Sequence, residues 1–288
     1  MAQTRAIARR IRSVKNAAQI TKALEVVAAS RMRRVVQAVE GSRSYGDLAD
    51  KIMRGIAGSP EAKSNPFLST DASRPTLYIV FTSDRGQAGA YNSNVFHHCI
   101  AAFSQEKNRP QVVVFGRKGA RFMTRLRDID LKAAYEDLDD VPDVNVFASL
   151  MNSIEASLAA REVGKISVVY TQFVSALSQK VTSLQLAPID TTISQQADNP
   201  QPMVFEFEPE ISSVLDEAIR LYLEARLMQA KIESAASEQA MRMVAMGNAN
   251  RNATDLIDDL TLELNATRQA VITQEIAEIT GGAAAIAA

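Results

Sequence analysis

Residues 209–280 read PEISSVLDEAIRLYLEARLMQAKIESAASEQAMRMVAMGNANRNATDLIDDLTLELNATRQAVITQEIAEIT. No proline follows Pro209, and Gly247 is the only glycine before Gly281. Apolar and small residues recur at steps of four and three: Leu215, Ala218, Tyr222, Ala225, Ile232, Ala236, Met243, Met246, Ala253, Ile257, Leu260, Leu264 and Val271. That spacing is the seam of a helix that pairs with another helix. Gln229, Gln239, Asn250, Thr267 and Gln274 interrupt it, so the seam is weaker than a leucine zipper. Unbroken, such a helix runs roughly 105 Å at 1.5 Å per residue. A compact domain of this size is about 40 Å across. The spacing therefore predicts a rod that leaves its own domain and is sheathed by another protein.

The partner lies at the other end of the chain. Residues 2–58 hold no proline, and their first glycine is Gly41. Ile7, Ile11, Val14 and Ala18 step by four, three and four; Ile20, Leu24 and Val27 continue on a rotated stripe, followed by Met32, Val35 and Val39. Two long amphipathic helices at opposite ends of a chain lie antiparallel when a domain between them bridges one end.

All nine prolines fall between Pro60 and Pro209, marking a differently built middle. The runs 76–82, 111–115 and 166–173 are short and β-type, and 181–188 reads as a last strand hairpinned to the one before through Ser175–Gln179. Helical patterns at Asn92–Lys107, Lys118–Arg127 and Val144–Arg161 alternate with the strands, which argues for βαβ units and a mostly parallel sheet. The expected fold is α/β with long helices: an antiparallel coiled coil of N- and C-terminal helices (1–58 and 209–288) and an inserted Rossmann-like βαβ domain (75–190).

Composition bounds the function. Apolar content of 47% with 23% charge is globular, and a net charge of −1 predicts no general affinity for nucleic acid or membrane. The single cysteine, Cys99, excludes an intramolecular disulfide framework. No apolar run approaches the ~18 residues of a membrane span. The arginine-rich start resembles a presequence in composition, but the helical pattern runs through it to Glu40 without a break. A helix beginning at Met1 points to a bacterial cytoplasmic protein. Arg5, Arg9, Arg10, Arg12, Lys15, Lys22, Arg31, Arg33 and Arg34 face one acid, Glu25, over the first 36 residues. A solvated helix face, DNA, anionic lipid and an acidic protein surface all fit; without a base-reading motif the acidic protein is the best functional reading.

The loop Ser83-Asp84-Arg85-Gly86-Gln87-Ala88-Gly89 sits between a strand and a helix, where phosphates bind, but has neither a lysine–serine/threonine pair nor G-x-G-x-x-G. A glycine turn entering a helix capped by Asn92 or Ser93 is the commoner explanation. His97 and His98 have no metal-spaced companions. Cys99, with Val95, Phe96, Ile100 and Phe103, belongs to an apolar face. The acids Glu136, Asp137, Asp139, Asp140 and Asp143 lack the pattern of a calcium loop and read as a turn, Asp143 capping the next helix. No nucleophile–base–acid set, metal site or cofactor site emerges.

Three segments in order, IRSVKNAAQITKALEVVAASRMRR (11–34), SDRG (83–86) and SEQAMRMVAMGNANRNATDLIDDLTLELNATRQAVITQEIAEITGGAAA (237–285), resemble the γ subunit of F-type ATP synthases. The resemblance implies a rotor shaft: the terminal helices turn inside a ring of three α and three β subunits, and the α/β domain sits on the c-ring beside the ε subunit. Proton flow turns the ring, and the shaft drives the β subunits through their nucleotide states. It implies no catalytic residue and no cofactor in this chain, no nucleic acid partner, and a place on the cytoplasmic side of the inner cell membrane, peripheral and held only through the ring. By matching positions, Arg268, Gln269 and Thr273 stand as β-subunit contacts, with Glu238 and Arg242 as a second set. Arg9, Lys22, Arg31, Arg33 and Arg34 supply positive charge near the acidic lever of β, and Leu24 stands where many relatives have methionine. Phe205, Glu206, Phe207 and Glu208, with Arg43 and Tyr45, match the ring-facing foot. Ser83, Asp84, Arg85 and Gly86 are the signature loop, followed here by Gln87, Ala88 and Gly89 instead of Leu-Cys-Gly. The tail GGAAAIAA, ending around Ile286, suits turning in an apolar collar. A nucleotide-binding enzyme using the SDRG loop and a basic coiled-coil adaptor for DNA or membrane stay open as the other classes.

Overall fold

The structure, a computed structural model, describes residues 2–56, 65, 67–68, 71, 73–189 and 211–287, with side chains for these apart from 2, 54–56, 144, 211–214 and 282–287. The described residues of the proline-free ends are helical: α1 is Ala2–Ile56 and α5 is Ile211–Ala287. Between them run β1 (Thr76–Phe81), α2 (Tyr91–Phe103), β2 (Gln111–Phe115), α3 (Arg117–Met123), β3 (Asp130–Tyr135), a 3-10 turn (Val144–Phe147), α4 (Ala148–Ala159), β4 (Lys165–Phe173) and β5 (Gln179–Ala187).

The strands form one sheet in the order β3-β2-β1-β4-β5. β1 is parallel to both β2 and β4, β2 is parallel to β3, and β5 closes the far edge as the antiparallel hairpin partner of β4. Alternate residues divide the sheet into two faces. Leu77, Ile79, Phe81, Ile166, Val168 and Tyr170 join the larger core, which takes Leu150, Met151 and Ile154 from α4, Ile219, Leu223 and Leu227 from α5, and Met53 from α1. Tyr78, Val80, Val112, Val114 and Val169 join the smaller core under α2 and α3, with Val95, Cys99 and Met123. β1 is buried on both faces, so its sequence reads as a continuous apolar run instead of an alternation.

Three expectations need correction. β3, DLKAAY, was absent from the expected strands: its alanines and lysine carry little β propensity, and only pairing to β2 makes it a strand. The three connecting helices are shorter than their patterns suggested; the third begins as the 3-10 turn. Asn92 and Ser93 lie inside α2, and the residue before the helix, Ala90, makes no side-chain cap. Asp143 does cap, accepting from the Asn145 backbone N–H at 3.0 Å.

The described chain divides into two compact units, Met1–Ala28 with Arg242–Ala288, and Ala29–Met241. Within the larger unit α1 and α5 run antiparallel: Arg43 meets Glu233, Gly46 meets Gln229, and Asp50 meets Arg226. Met32, Val35 and Val39 pack with Ile232, Ala235, Ala236 and Ala240. Within the smaller unit the two helices also approach closely, since a Cβ on Gly247 would lie 3.5 Å from the Glu25 carboxylate. The α5 seam is drawn as its periodicity predicts, with Leu215, Tyr222, Ala225, Ile232, Ala236, Met246 and Leu260 buried. On α1 the rotated stripe is corrected: Ile20 and Val27 are 60% and 51% exposed, whereas Ala28 is buried and Thr21 and Glu25 are half-buried. The helix keeps its four-three steps through small and polar residues instead of turning to follow its large apolar ones.

Candidate functional site

In an open α/β sheet a ligand binds outside the carboxyl ends of the strands where the strand order reverses. Here that point lies between β1 and β4, and Ser83-Asp84-Arg85-Gly86 leaves the end of β1 beside it. The loop is spent on its own fold. Ser83 is fully buried; its N–H donates to Asn92 Oδ1 (3.1 Å), its hydroxyl donates to the Arg85 carbonyl (2.8 Å) and accepts from Asn92 Nδ2 (2.7 Å). The Asp84 carboxylate accepts from the Arg117 N–H at the start of α3 (2.9 Å). Thr82 Oγ1 donates to the Phe115 carbonyl and accepts from the Gly119 N–H (2.8 and 3.0 Å). Gly116 is needed there: its φ is +102°, and a Cβ would stand 2.3 Å from the Thr82 carbonyl. Gln87 takes φ +64°, a left-handed turn at a non-glycine residue that closes the loop onto α2.

On the other side of β1, α5 fills the space at the ends of β1 and β2. Lys231, Ser234, Ala235 and Glu238 stand against Phe81, Thr82, Asp84, Tyr91 and Phe115, leaving about 10 Å³. A small-molecule site takes roughly 300–1,000 Å³, so the SDRG loop has no room for a nucleotide in that space. Burial pushes the Lys231 ammonium pKa down, against the opposing pull of Glu238, Asp140, Asp84 and Asp139.

Beside that space α5 meets the end of β4. β1 pairs with β4 only as far as Val80 opposite Val169, so residues 170–173 have no strand on that edge. The Thr171 N–H donates to Ser234 Oγ (3.2 Å), and Ser237 Oγ donates to the Thr171 carbonyl (3.0 Å). The Phe173 N–H donates to Glu233 Oε2 (3.2 Å), and Arg43 of α1 donates to the Phe173 carbonyl. Arg43 Nε and Gln229 Nε2 both donate to Glu233 Oε1 (3.0 and 3.2 Å). Glu233 and Ser237 are wholly buried and Ser234 nearly so. The hydrogen bond to Glu233 raises the Arg43 pKa, against the lowering effect of burial. The sequence reading missed Glu233, Ser234 and Ser237; their signal was a polar run on the side of α5 next to its seam.

The residues expected to meet other subunits fall in several places. In the smaller unit Arg9, Lys22, Arg268, Gln269 and Thr273 are exposed, and Leu24 is half-buried. Lys22 pairs with Glu25 at 3.1 Å and lines a shallow groove with Ala18, Gln19, Ala23, Val26 and Asn250. Arg242 is half-buried there. In the larger unit Arg31, Arg33 and Arg34 are exposed and Glu238 is half-buried in the lining of the space at the ends of β1 and β2. Tyr45 is 55% exposed, whereas Arg43 turns inward to Glu233. Phe205, Glu206, Phe207 and Glu208 lie outside the described residues, as does the side chain of Ile286.

His98 Nε2 lies 2.7 Å from Ser183 Oγ, and burial lowers its pKa; His97 is exposed. The Cys99 thiol is buried and pushed up to about 12 by desolvation. Its expected neighbour Ile100 instead points outward at 43% exposure. Two of the acids, Glu136 and Asp137, bind Arg117 at 2.9 and 2.7 Å.

A family model described as ATP synthase matches residues 3–286. The ATP synthase gamma chain of Desulforamulus reducens is 35% identical over 286 residues, covering 99% of this chain and all of that one. The Brevibacillus brevis gamma chain is 37% identical, over 97% of each. Among solved structures, a chain of the Euglena gracilis mitochondrial ATP synthase in rotational state 3 matches 99% of this chain and 95% of its own length, with a TM-score of 0.67 at 18% identity. A chain of the Tetrahymena thermophila central stalk and c-ring matches 80% of this chain and 99% of its own, with a TM-score of 0.63 at 24% identity. At those identities the structures establish the shared fold.

Proposed function

Since the chain belongs to the ATP synthase gamma chain family, we propose that it is the central rotor subunit of an F-type ATP synthase, carrying rotation between a membrane ring and the nucleotide sites of the catalytic head. The observation that carries this reading is end-to-end coverage: the resemblance includes both terminal helices and the domain between them. The paired helices support it, because a shaft needs its two ends in one antiparallel pair.

The chain does no chemistry itself in this reading; ATP forms on β. Its partners are three α and three β subunits, ε, and the c-ring. Among the described residues no helix is long and apolar enough to cross a membrane, and the subunit is held at the cytoplasmic face of the inner membrane through the ring. Arg268, Gln269 and Thr273 are the β contacts near the end of α5, with Glu238 and Arg242 as a second set. Leu24 and the cations Arg9, Lys22, Arg31, Arg33 and Arg34 face the acidic lever of β, where opposite fields align the two without deep interlocking. Residues 205–208 and Tyr45 are the ring contacts, with Arg43 turned inward to Glu233 beside Tyr45. The three segments are 1–58, 75–190 and 209–288.

The test is co-purification with α and β at one copy per three pairs. Arg268→Ala with Gln269→Ala is then expected to lower coupled ATP synthesis while leaving the far-ultraviolet circular dichroism of the chain unchanged. Absence of the chain from the head complex overturns the reading.

A further inference from the structure

We propose that Glu233, Ser234 and Ser237 of α5, with Arg43 of α1, form a torsional key that locks the helical pair to the sheet in one angular register. The proposal rests on the rotor reading. In that reading torque must pass between the sheet-bearing part and the helices, and it passes here through four directional bonds to the backbone of β4.

The apolar contacts around the join do not resist twisting well. Hydrophobic attraction is non-directional, and α5 contributes mostly small side chains here, Ala235, Ala236 and Ala240, beside Ile232 against Val35, Val39 and Phe173. The polar bonds behave differently. Successive residues of a helix point about 100° apart, so a slip of one residue turns both serines away from Thr171. A slip of one residue along β4 presents the opposite edge of the strand. Only one register satisfies the Thr171 and Phe173 N–H and C=O groups together. Any other leaves buried backbone groups unpaired, each costing about as much as a lost hydrogen bond.

The choice of groups points the same way. Burying Glu233 carries a desolvation cost that an apolar side chain would avoid, and buried polar groups are best attested as devices that fix register. In effect α5 supplies the edge that β1 leaves missing, at the crevice where other folds of this shape hold a ligand. These four are positioning residues: they touch no substrate.

The experiment uses the assembled α/β/γ head, immobilised through β, with a gold particle on Lys107→Cys; Lys107 is exposed, and the buried Cys99 stays unlabelled. Angular variance of the particle is read during ATP-waiting pauses. Ser234→Ala with Ser237→Ala is expected to widen that variance by about twofold, as two of the four directional bonds are gone. Amide exchange at Thr171 is expected to quicken in the same complex. Ser237→Thr alone, which keeps the hydroxyl, is expected to leave the variance at the wild-type value. If the double variant does not assemble, Ser237→Ala alone is read by the same variance, with a smaller widening expected. A variant that assembles with wild-type variance and only a lower melting temperature overturns the key and leaves the bonds a purely structural role. Failure of the rotor reading looks different: the wild-type particle does not rotate with ATP.

Discussion

Gly46 sits on the buried face of α1 against Gln229 and Arg226 of α5, and its replacement by alanine sets two effects of opposite sign against each other. Alanine in a helix interior is favoured over glycine by about 1 kcal/mol. The added Cβ, however, would lie 2.5 Å from Gln229 Oε1 and 3.1 Å from Arg226 Nη1. The Gln229 amide must move, and it is engaged on both sides: Oε1 accepts from Arg226 at 2.8 Å and Nε2 donates to Glu233 at 3.2 Å. Hydrogen bonds to charged groups are worth about 1.5–3 kcal/mol each. Losing both, at about 2 kcal/mol each, outweighs the helix gain for a net loss of about 3 kcal/mol, and losing only one gives a loss of about 1 kcal/mol. Urea unfolding of the purified chain, followed by circular dichroism at 222 nm, is expected to show a midpoint lowered by roughly 0.3–1 M for a slope of about 3 kcal/mol per M. In a Gln229→Ala background the obstruction is gone, and Gly46→Ala is expected to raise the midpoint. Gly41 is the control: a Cβ there meets nothing within 4 Å, so Gly41→Ala stabilises by about 0.5–1 kcal/mol. If Gly46→Ala in the unaltered chain raised the midpoint as Gly41→Ala does, the Gln229 amide would be free to swing aside, and the reasoning would be wrong.

Thr171 Oγ1 is buried and makes no hydrogen bond among the described residues, so Thr171→Val, which keeps the shape, is expected to stabilise by about 1 kcal/mol in the same urea titration. Gly247→Ala, with its Cβ at an ordinary 3.5 Å from Glu25, is expected to behave like Gly41→Ala, raising the midpoint. Cys99 has its pKa raised from 9 to about 12 by burial, so the folded state favours the protonated thiol. Its contribution to stability is full below pH 9 and falls as pH climbs from 9 towards 12, by at most about 1.4 kcal/mol per pH unit. Wild type compared with Cys99→Ala across that window isolates the effect. Iodoacetamide at pH 8 is expected to label Cys99 in urea and to leave it unlabelled in the native chain.

The long helices, four of the five strands and the hairpin were legible in the sequence because their signals are local. A proline-free stretch with four-three spacing has one favourable arrangement, and the apolar cluster at 111–115 has another. The α5 seam was legible for the same reason. β3 was not, since DLKAAY becomes a strand only through its neighbour β2. On α1 the larger residues Ile20 and Val27 drew the stripe away from its true course through Thr21, Glu25 and Ala28. Close helix approach rewards small side chains, and a small residue is a quiet signal. The SDRG loop was read as a glycine turn into a capped helix, but the manner of its closure, by Asn92 reaching back to Ser83, depends on α2 folding over it. The chain's sequence alone thus determined the long helices, four of the five strands and which family they resemble. Only the tertiary structure decided that Glu233, Ser234 and Ser237 would be buried against β4, because a polar residue is stable inside a protein only where a distant segment brings its partner.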